Sequence, residues 1–417
     1  MWRRSFVVFL TGILVLVSII KFSPVTGKEV ALAADSNKTR TISVSAFMRK
    51  LEKAAGLKKG ILAEVNKVEN GKEAVTWRQA VVFLNQAEEW KNGADYDEGL
   101  YQQIVEKKRL TGLKGLSKEE KLAARLCFTK GLITGESKGD YSQSREFCGK
   151  DKVTVGEAHK MLVRLKDVSK RAELSPDGQL LRTTKLPDNH EKYEYILEAF
   201  PNEFYERKLY YEMVTYYYEP VNLVNYACPK DIKKKKTISP YVESGTFEEM
   251  YERYSGDWIE TISNNLECRF NFDYRNIDEN WLNKLASTYI CDDDAEYNKR
   301  VVDCIKEYVV TAKKNHVVIK TDKIVVEPSA MYYAKGEYFV RCYVKFKISA
   351  DEIYPAKEGK LNRQHELLFS RQNCVCLENL KGGEWYEMSI DVPVRQTAGN
   401  QNPATYTIGS DQIWSWK

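Results

Sequence analysis

The sequence predicts a multidomain protein, with a domain of helical repeats in its N-terminal half and an α+β domain in its C-terminal half. Its 417 residues exceed the length of one ordinary domain. The hydrophobic pattern also changes along the chain, from helical spacing before residue 175 to a period of two beyond His316. A hydrophobic content of 43% is sufficient to bury cores and is unlike that of a disordered chain. We divide the chain into a signal peptide (1–33), a helical repeat domain (34–175), a linker (176–189) and an α+β domain (190–417).

The first 33 residues have the organisation of a secretory signal peptide. A basic start at Arg3 and Arg4 is followed by the apolar run Phe6–Ile20 and by Ala31-Leu32-Ala33, small residues that suit a signal peptidase. The apolar run would span about 22 Å as a helix, less than the ~30 Å of hydrocarbon in a bilayer. The sequence therefore predicts secretion with cleavage after Ala33. The alternative is an uncleaved anchor, and in both cases the rest of the chain lies outside the cytoplasm.

The charge balance excludes several classes of partner. The formal net charge is +5, of which residues 1–33 contribute four basic side chains and one acidic, or +3, leaving +2. A nearly neutral chain has no general electrostatic attraction for nucleic acid, so we expect none as a partner. With four histidines in the whole chain we expect no metal site, and no motif indicates a cofactor. Membrane contact is expected only if the signal segment is uncleaved.

Three ten-residue windows in the N-terminal half align without gaps. Each has a β-branched residue, then a hydroxyl residue, then apolar residues at helical spacing. The windows are Ile42–Leu51, Val75–Leu84 and Val153–Leu162. The hydroxyl residue is placed to accept a hydrogen bond from a first-turn N–H group, and a Gln or Glu three residues later can complete a capping box. The predicted caps are Ser43, Thr76 and Thr154, with Gln79 and Glu157 as the capping-box partners.

The third window follows a second helical signature. Ser117–Glu120 is another capping-box pattern, Gly131–Gly135 ends the helix that it opens, and a Gly139–Tyr141 loop leads to the window. This order of motifs resembles that of the S-layer homology domain of bacterial surface proteins, over about Thr41–Val168. The resemblance implies packed helical hairpins that hold a protein to a wall polysaccharide.

The family binds its ligand through a Thr-Arg-Ala-Glu tetrad, and this sequence departs from it. The matching stretches of the second and third windows are Thr76–Gln79 and Thr154–Glu157, and the arginine of the tetrad is absent from its place in all three windows. The resemblance implies cell-wall polysaccharide as the partner, contacted near the helix starts. The candidate ligand-binding residues are Trp77, Arg78, Thr154 and Glu157. The alternative is a scaffold that kept the fold and lost the ligand, with Trp77 in the interhelix packing and Arg78 solvated.

Nine cysteines agree with an oxidising compartment but are an odd number, so at least one has no partner within the chain. Cys148 lies in an insertion relative to the family, Ser142–Lys152. A disulfide between Cys127 and Cys148 would clasp the hairpin around this insertion.

The elements predicted for the C-terminal half are helices followed by strands, an order typical of an α+β domain with a curved antiparallel sheet packed on helices. The predicted helices are Glu191–Tyr217, Thr246–Asn265, Glu279–Ile290 and Ala295–Lys314. The predicted strands are Leu266–Tyr274, Val317–Val326, Glu337–Ile348, Glu366–Cys376, Trp385–Val394 and Thr405–Trp414.

These observations favour a secreted bacterial cell-surface protein that is not an enzyme and serves in wall attachment or as an extracellular interaction module. The alternative is a cell-wall-acting hydrolase with its site in the C-terminal domain. Two carboxyl groups facing each other across a cleft there would favour the enzyme. A sheet whose faces are filled would favour binding.

Overall fold

The computed structural model describes residues 40–207, 226–227, 247–290, 294–334, 337–351, 368–369, 380–395, 407–408 and 412–416. Helices occupy the N-terminal half and a curled antiparallel sheet occupies the C-terminal half, so the predicted layout of an α part followed by an α+β part is confirmed. None of the helices in these ranges combines the length and the hydropathy needed to cross a bilayer. The predicted signal peptide lies outside the described residues.

The helices described in the N-terminal half are α1 (Val44–Ala55), α2 (Ile61–Val65), α3 (Trp77–Asn92), α4 (Glu98–Glu106), α5 (Lys118–Thr129) and α6 (Val155–Lys166). Four of these six helices begin at predicted caps, whereas α2 begins after Gly60 and α4 after Asp97, which were not predicted. The Ser43 hydroxyl accepts from the Ala46 N–H at 3.4 Å, and Thr154 Oγ1 accepts from the N–H of Glu157 at 3.2 Å. The N–H of Thr76 donates to Gln79 Oε1 at 3.0 Å. Two-residue strands β1 (Leu110–Thr111) and β2 (Arg145–Glu146) pair in parallel between these helices.

The three windows meet in a closed ring of main-chain hydrogen bonds. The N–H of Ile42 donates to the Val153 carbonyl at 3.1 Å, that of Val153 to Val75 at 2.9 Å, and that of Val75 back to Ile42 at 2.9 Å. All three side chains are buried in the core of the helical half. The windows thus occupy equivalent positions around one centre, each directly before the helix that it opens.

In the described part of the C-terminal half, three helices of nine residues or more pack with one sheet. After the short α7 (Asn202–Glu206), the helices are α8 (Phe247–Phe270), α9 (Glu279–Ser287) and α10 (Ala295–Lys314). The strands are β3 (Tyr226–Ala227), β4 (Phe272–Asp273), β5 (Val318–Ala334), β6 (Glu337–Ser349), β7 (Trp385–Arg395), β8 (Thr407–Ile408) and β9 (Gln412–Trp416). Their order is β3-β5-β6-β7-β8, all antiparallel, with β4 also paired to β5 and β9 to β7. Two register shifts interrupt the β5–β6 ladder.

Two predicted elements of this half are wrong. The strand predicted at Leu266–Tyr274 is the end of α8, because buried residues at a spacing of four, including Trp258, Ile262 and Leu266, continue the helix to Phe270. Only Phe272–Asp273 is a strand.

The helix predicted at Glu191–Tyr217 is not continuous in its described part, which ends at residue 207. That part holds a 3₁₀ turn at His190–Lys192 and α7. Pro201 lies between them and precludes one continuous helix, since proline lacks an N–H group and disfavours helical geometry in the residue before it. Of the strand predicted at Glu366–Cys376, all but residues 368–369 lies outside the described residues.

Both faces of β6 are covered. Val340, Cys342 and Val344 face the core formed with α8, α9 and α10. Tyr343 points to the opposite side, where it packs against the segment 193–205. Described side chains therefore cover both faces of the sheet at its central strand, and they leave no open cleft along β6.

The segment predicted as a linker, 176–189, begins as a tight turn packed on the helical half. The Ser175 N–H donates to the Gln179 carbonyl at 2.8 Å, and both residues are buried. The Asp177 carboxylate forms an ion pair with the guanidinium of Arg109, which is buried. The domain bounds stay a prediction, but the start of this segment is a fixed part of the fold.

Candidate binding groove

A cavity of about 230 Å³ lies between α3, α6 and the chain that joins α5 to α6. Its wall comprises Trp77 at the start of α3, residues 132–136, residues 145–148 and four side chains of α6. The α6 side chains are Glu157, Lys160, Met161 and Arg164.

The end of α5 places one wall of this cavity. Gly131 has a φ of +67°, in the left-handed region that glycine favours, and a Cβ atom there would overlap the Ala172 carbonyl oxygen. The chain therefore leaves the helix sharply, and residues 132–136 run along the cavity. Leu132 and Ile133 are buried in the core and fix this wall in place. The polar residues Thr134 and Glu136 of the same wall follow them directly in the chain.

The floor of the cavity is aromatic and apolar. The Trp77 ring meets the Phe147 ring edge to face, with centroids 6.3 Å apart and planes at 82°. Met161 is buried beside them. The charged lining is balanced, since the described residues contribute three cations and three carboxylates. They are Arg145, Lys160 and Arg164 with Glu136, Glu146 and Glu157.

The two arginines of the lining are held by main-chain carbonyls. Arg145 donates from Nε to the Thr134 carbonyl at 3.1 Å and from Nη2 to the Gly135 carbonyl at 3.0 Å. Arg164 donates from Nη1 to the Leu132 carbonyl at 3.3 Å, and burial lowers the pKa of its guanidinium. Lys160 is exposed, and no described residue accepts a hydrogen bond from it. Lys160 is thus the cation in this lining best placed to meet a ligand.

A second cavity of about 620 Å³ adjoins the first and shares Thr134, Arg145, Lys160 and Arg164 with it. Its other side is formed by residues 170–173 and 180–185, which follow the helical windows. Seven cations and two carboxylates of the described residues line it. The cations that it adds are Lys170, Arg171, Arg182 and Lys185, and the carboxylates are Glu173 and Glu198. The two cavities form one groove, with a balanced aromatic end and a cationic end, which we call the binding groove.

The predicted ligand-binding residues separate into two groups. Trp77 and Glu157 line the first cavity. Thr154 is engaged in its capping box, where the N–H of Thr154 donates to Glu157 Oε2 at 2.7 Å. Arg78 lies outside the lining of both cavities, with Nε 4.0 Å from Glu120 Oε1.

The N–H groups at the helix starts are already bonded to carbonyls. The Trp77 N–H donates to the Asp151 carbonyl at 3.0 Å and that of Arg78 to Gly149 at 3.1 Å, while Val155 donates to Arg40 at 2.8 Å. These N–H groups are therefore not available to bind an anion at the helix starts. An anion would instead be bound by side chains of the groove.

Cys127 and Cys148 are both free thiols in this structure. Cys127 is fully buried on α5, where its Sγ lies 3.6 Å from the Val81 carbonyl oxygen and burial raises the pKa of the thiol. Cys148 is half-buried and lines the first cavity. The disulfide between them stays a prediction.

Sequence reasoning missed the basic residues of the groove. Lys160 and Arg164 are four residues apart on α6, a spacing that places two side chains on one helix face, so a pair of cations could have been found there. The spacing of Arg145, Lys170, Arg182 and Lys185 in the sequence contains no such signal, because they converge only through the packing of loops.

Comparison with known proteins gives no family. No protein-family model matches the chain, and no curated protein matches it. Among solved structures, a periplasmic fragment of TraM aligns with 39% of this chain and 97% of its own, at 10% identity and a TM-score of 0.21. A likeness at that level carries no argument about fold or function.

Proposed function

We propose that this is a secreted bacterial cell-surface protein, not an enzyme, whose helical half attaches to an acidic polysaccharide of the cell wall. The observation that carries the proposal is the binding groove, where an aromatic and apolar end continues into a cationic one. The apolar faces of sugar rings pack on aromatic side chains, and carboxylates or phosphates accept charge-assisted hydrogen bonds from Lys and Arg. A charged glycan presents both kinds of group together.

The closed ring of the three windows supports an S-layer-homology-like identity for the helical half, which we also propose. In this interpretation Trp77 and Glu157 contribute to the groove, whereas Thr154 supports the helix start and Arg78 is peripheral. The hydrolase alternative has less support, since the buried Asp391 carboxylate of the sheet is paired with Arg341 and both faces of β6 are covered.

Sedimentation with purified cell walls tests the attachment. The chain from residue 34 to 417 should appear in the wall pellet. Lys160→Ala should reduce the bound fraction more at low salt than at high salt, because salt screens an exposed charge. The matched control is Lys166→Ala, on the same helix, exposed and outside both cavities. Arg78→Ala should bind as the unaltered chain does.

An unaltered chain that stays in the supernatant would contradict attachment and favour the scaffold alternative. The secretion part has a separate test, in which mass spectrometry of culture medium should find a chain that begins near Ala34. Recovery of a chain that retains Met1 would instead support an uncleaved anchor.

A further inference from the structure

The second cavity differs from the first in the balance of its charges. Of its seven cations, Arg145 is paired with Glu198 at 3.0 Å and Arg171 with Glu88 at 2.7 Å. The other five have no carboxylate partner among the described residues. They are Lys160, Arg164, Lys170, Arg182 and Lys185.

Two of these five charges are held rigidly by neutral acceptors. Arg182 donates from Nη2 to the Phe200 carbonyl at 2.8 Å and from Nη1 to Asn202 Oδ1 at 2.6 Å. Arg164 donates to the Leu132 carbonyl. Such bonds orient a guanidinium without cancelling its charge, so the fold positions these cations before any ligand arrives and lowers the entropy lost on binding.

The remaining three are exposed lysines that line the cavity. Lys170 ends the 3₁₀ turn after α6, and Lys185 lies in the segment that follows the turn at Ser175–Gln179. Neither belongs to the three helical windows, so these two charges are added by the chain that follows the repeats. Its volume of about 620 Å³ lies within the range of small-ligand sites, about 300–1,000 Å³.

We propose that this second cavity is a separate subsite for further anionic groups of the same glycan, so that the groove selects a polyanionic chain over a sugar with one charge. The inference rests on the proposed binding function of the groove. A glycan seated at the aromatic end would extend past Lys160 toward Lys170 and Lys185. Each additional carboxylate or phosphate would meet a cation that has no acidic partner among the described residues.

Oligogalacturonates of one, three and six sugars are suitable probes, since each sugar carries one carboxylate. Titration of the 34–417 chain at low salt should show the hexamer binding at least tenfold more tightly than the monomer. Lys170→Gln with Lys185→Gln should weaken hexamer binding about tenfold and leave monomer binding unchanged. The control is Lys150→Gln with Lys166→Gln, two exposed lysines outside both cavities, which should change neither.

The outcomes separate this inference from the proposed function. Wall binding without any dependence on oligomer length would overturn the subsite and leave attachment intact. Equal hexamer affinity in the unaltered chain and the Lys170/Lys185 variant would likewise overturn it. Length-dependent binding that the variant loses, in a chain that does not pellet with walls, would uphold the subsite and contradict wall attachment. Failure to bind either walls or oligomers would overturn both.

Discussion

The Tyr141 ring stacks on the Tyr343 ring, with centroids 3.5 Å apart and planes within 5°. Tyr141 belongs to the loop between α5 and α6, and Tyr343 lies on the central strand of the sheet. Lys323 Nζ donates to the Asp140 carbonyl at 2.6 Å, and Gln143 Nε2 donates to the Val326 carbonyl at 3.3 Å. The loop of the helical half therefore docks on β5 and β6, and the two halves of the chain are in direct contact.

This contact predicts energetic coupling between the halves. In a double-mutant cycle of Tyr141→Leu and Tyr343→Leu, urea unfolding should give an interaction energy of about 0.5–1.5 kcal/mol, the usual value for an aromatic pair. The control is Tyr101→Leu, whose ring meets Tyr96 within the helical half and should not couple to Tyr343. Additive effects of Tyr141→Leu and Tyr343→Leu would show that the stack does not join the halves.

The cap of α6 gives a second prediction. Thr154→Ala should lower the free energy of unfolding by about 1 kcal/mol, because the N–H of Glu157 loses its acceptor and the capping box is broken. Urea midpoints of the 34–417 chain measure the effect, with Thr184→Ala at an exposed position as the control. Equal midpoints for Thr154→Ala and the unaltered chain would exclude a stabilising role for this cap.

The buried ion pair between β6 and β7 gives a third prediction. Arg341 and Asp391 are both fully buried, with Nε 2.8 Å from Oδ1, and Tyr332 donates to the other carboxylate oxygen at 2.9 Å. Arg341→Met should cost about 3–5 kcal/mol, because it leaves an uncompensated carboxylate in the interior. Adding Asp391→Asn should recover part of the loss. The pair would not act as a unit if Asp391→Asn destabilised the Arg341→Met variant as much as it destabilises the unaltered chain.

Glu327 gives a prediction about pH. Its carboxyl group lies in the second irregular stretch of β5, where it accepts from Ser329 Oγ at 2.9 Å, and burial raises its pKa to about 8. Other titratable groups interact with it or with its neighbours, namely the hydroxyls of Tyr195, Tyr205 and Tyr251 and the carboxylates of Asp177 and Glu194.

Because the folded protein keeps this proton while the unfolded chain releases it above its ordinary pKa of 4.5, stability should fall as the pH rises from about 4.5 to about 8. The slope contributed by this group is about 1.4 kcal/mol per pH unit at most. Glu327→Gln should remove that slope and raise the urea midpoint at pH 7.5, whereas Glu260→Gln, at an exposed position, should do neither. A pH profile that is the same in the Glu327→Gln variant would contradict a protonated Glu327.

Local interactions explain which elements could be predicted. Helix α10 has the predicted bounds, Ala295–Lys314, because apolar residues at helical spacing and a cap at Asp294 act within one segment. The hydroxyl caps at Ser43 and Thr154 were found for the same reason, since each satisfies an N–H group three residues away. At Leu266–Tyr274 the local pattern fitted a strand as well as a helix, and packing of Trp258 and Ile262 in the core decided for the helix.

The sequence by itself determined the helix starts at Ser43, Thr76, Ser117 and Thr154, the change of period between the halves and the candidates Trp77 and Glu157. Only the tertiary structure decided that Arg78 lies outside the groove, and that basic residues from four separate segments converge beside Lys160. A cap or an amphipathic face depends on neighbours a few residues away, so it is written in local spacing. A groove depends on which loops the ring of three windows and the stacked Tyr141 bring together, and no spacing along the chain specifies distances between residues that meet only through packing.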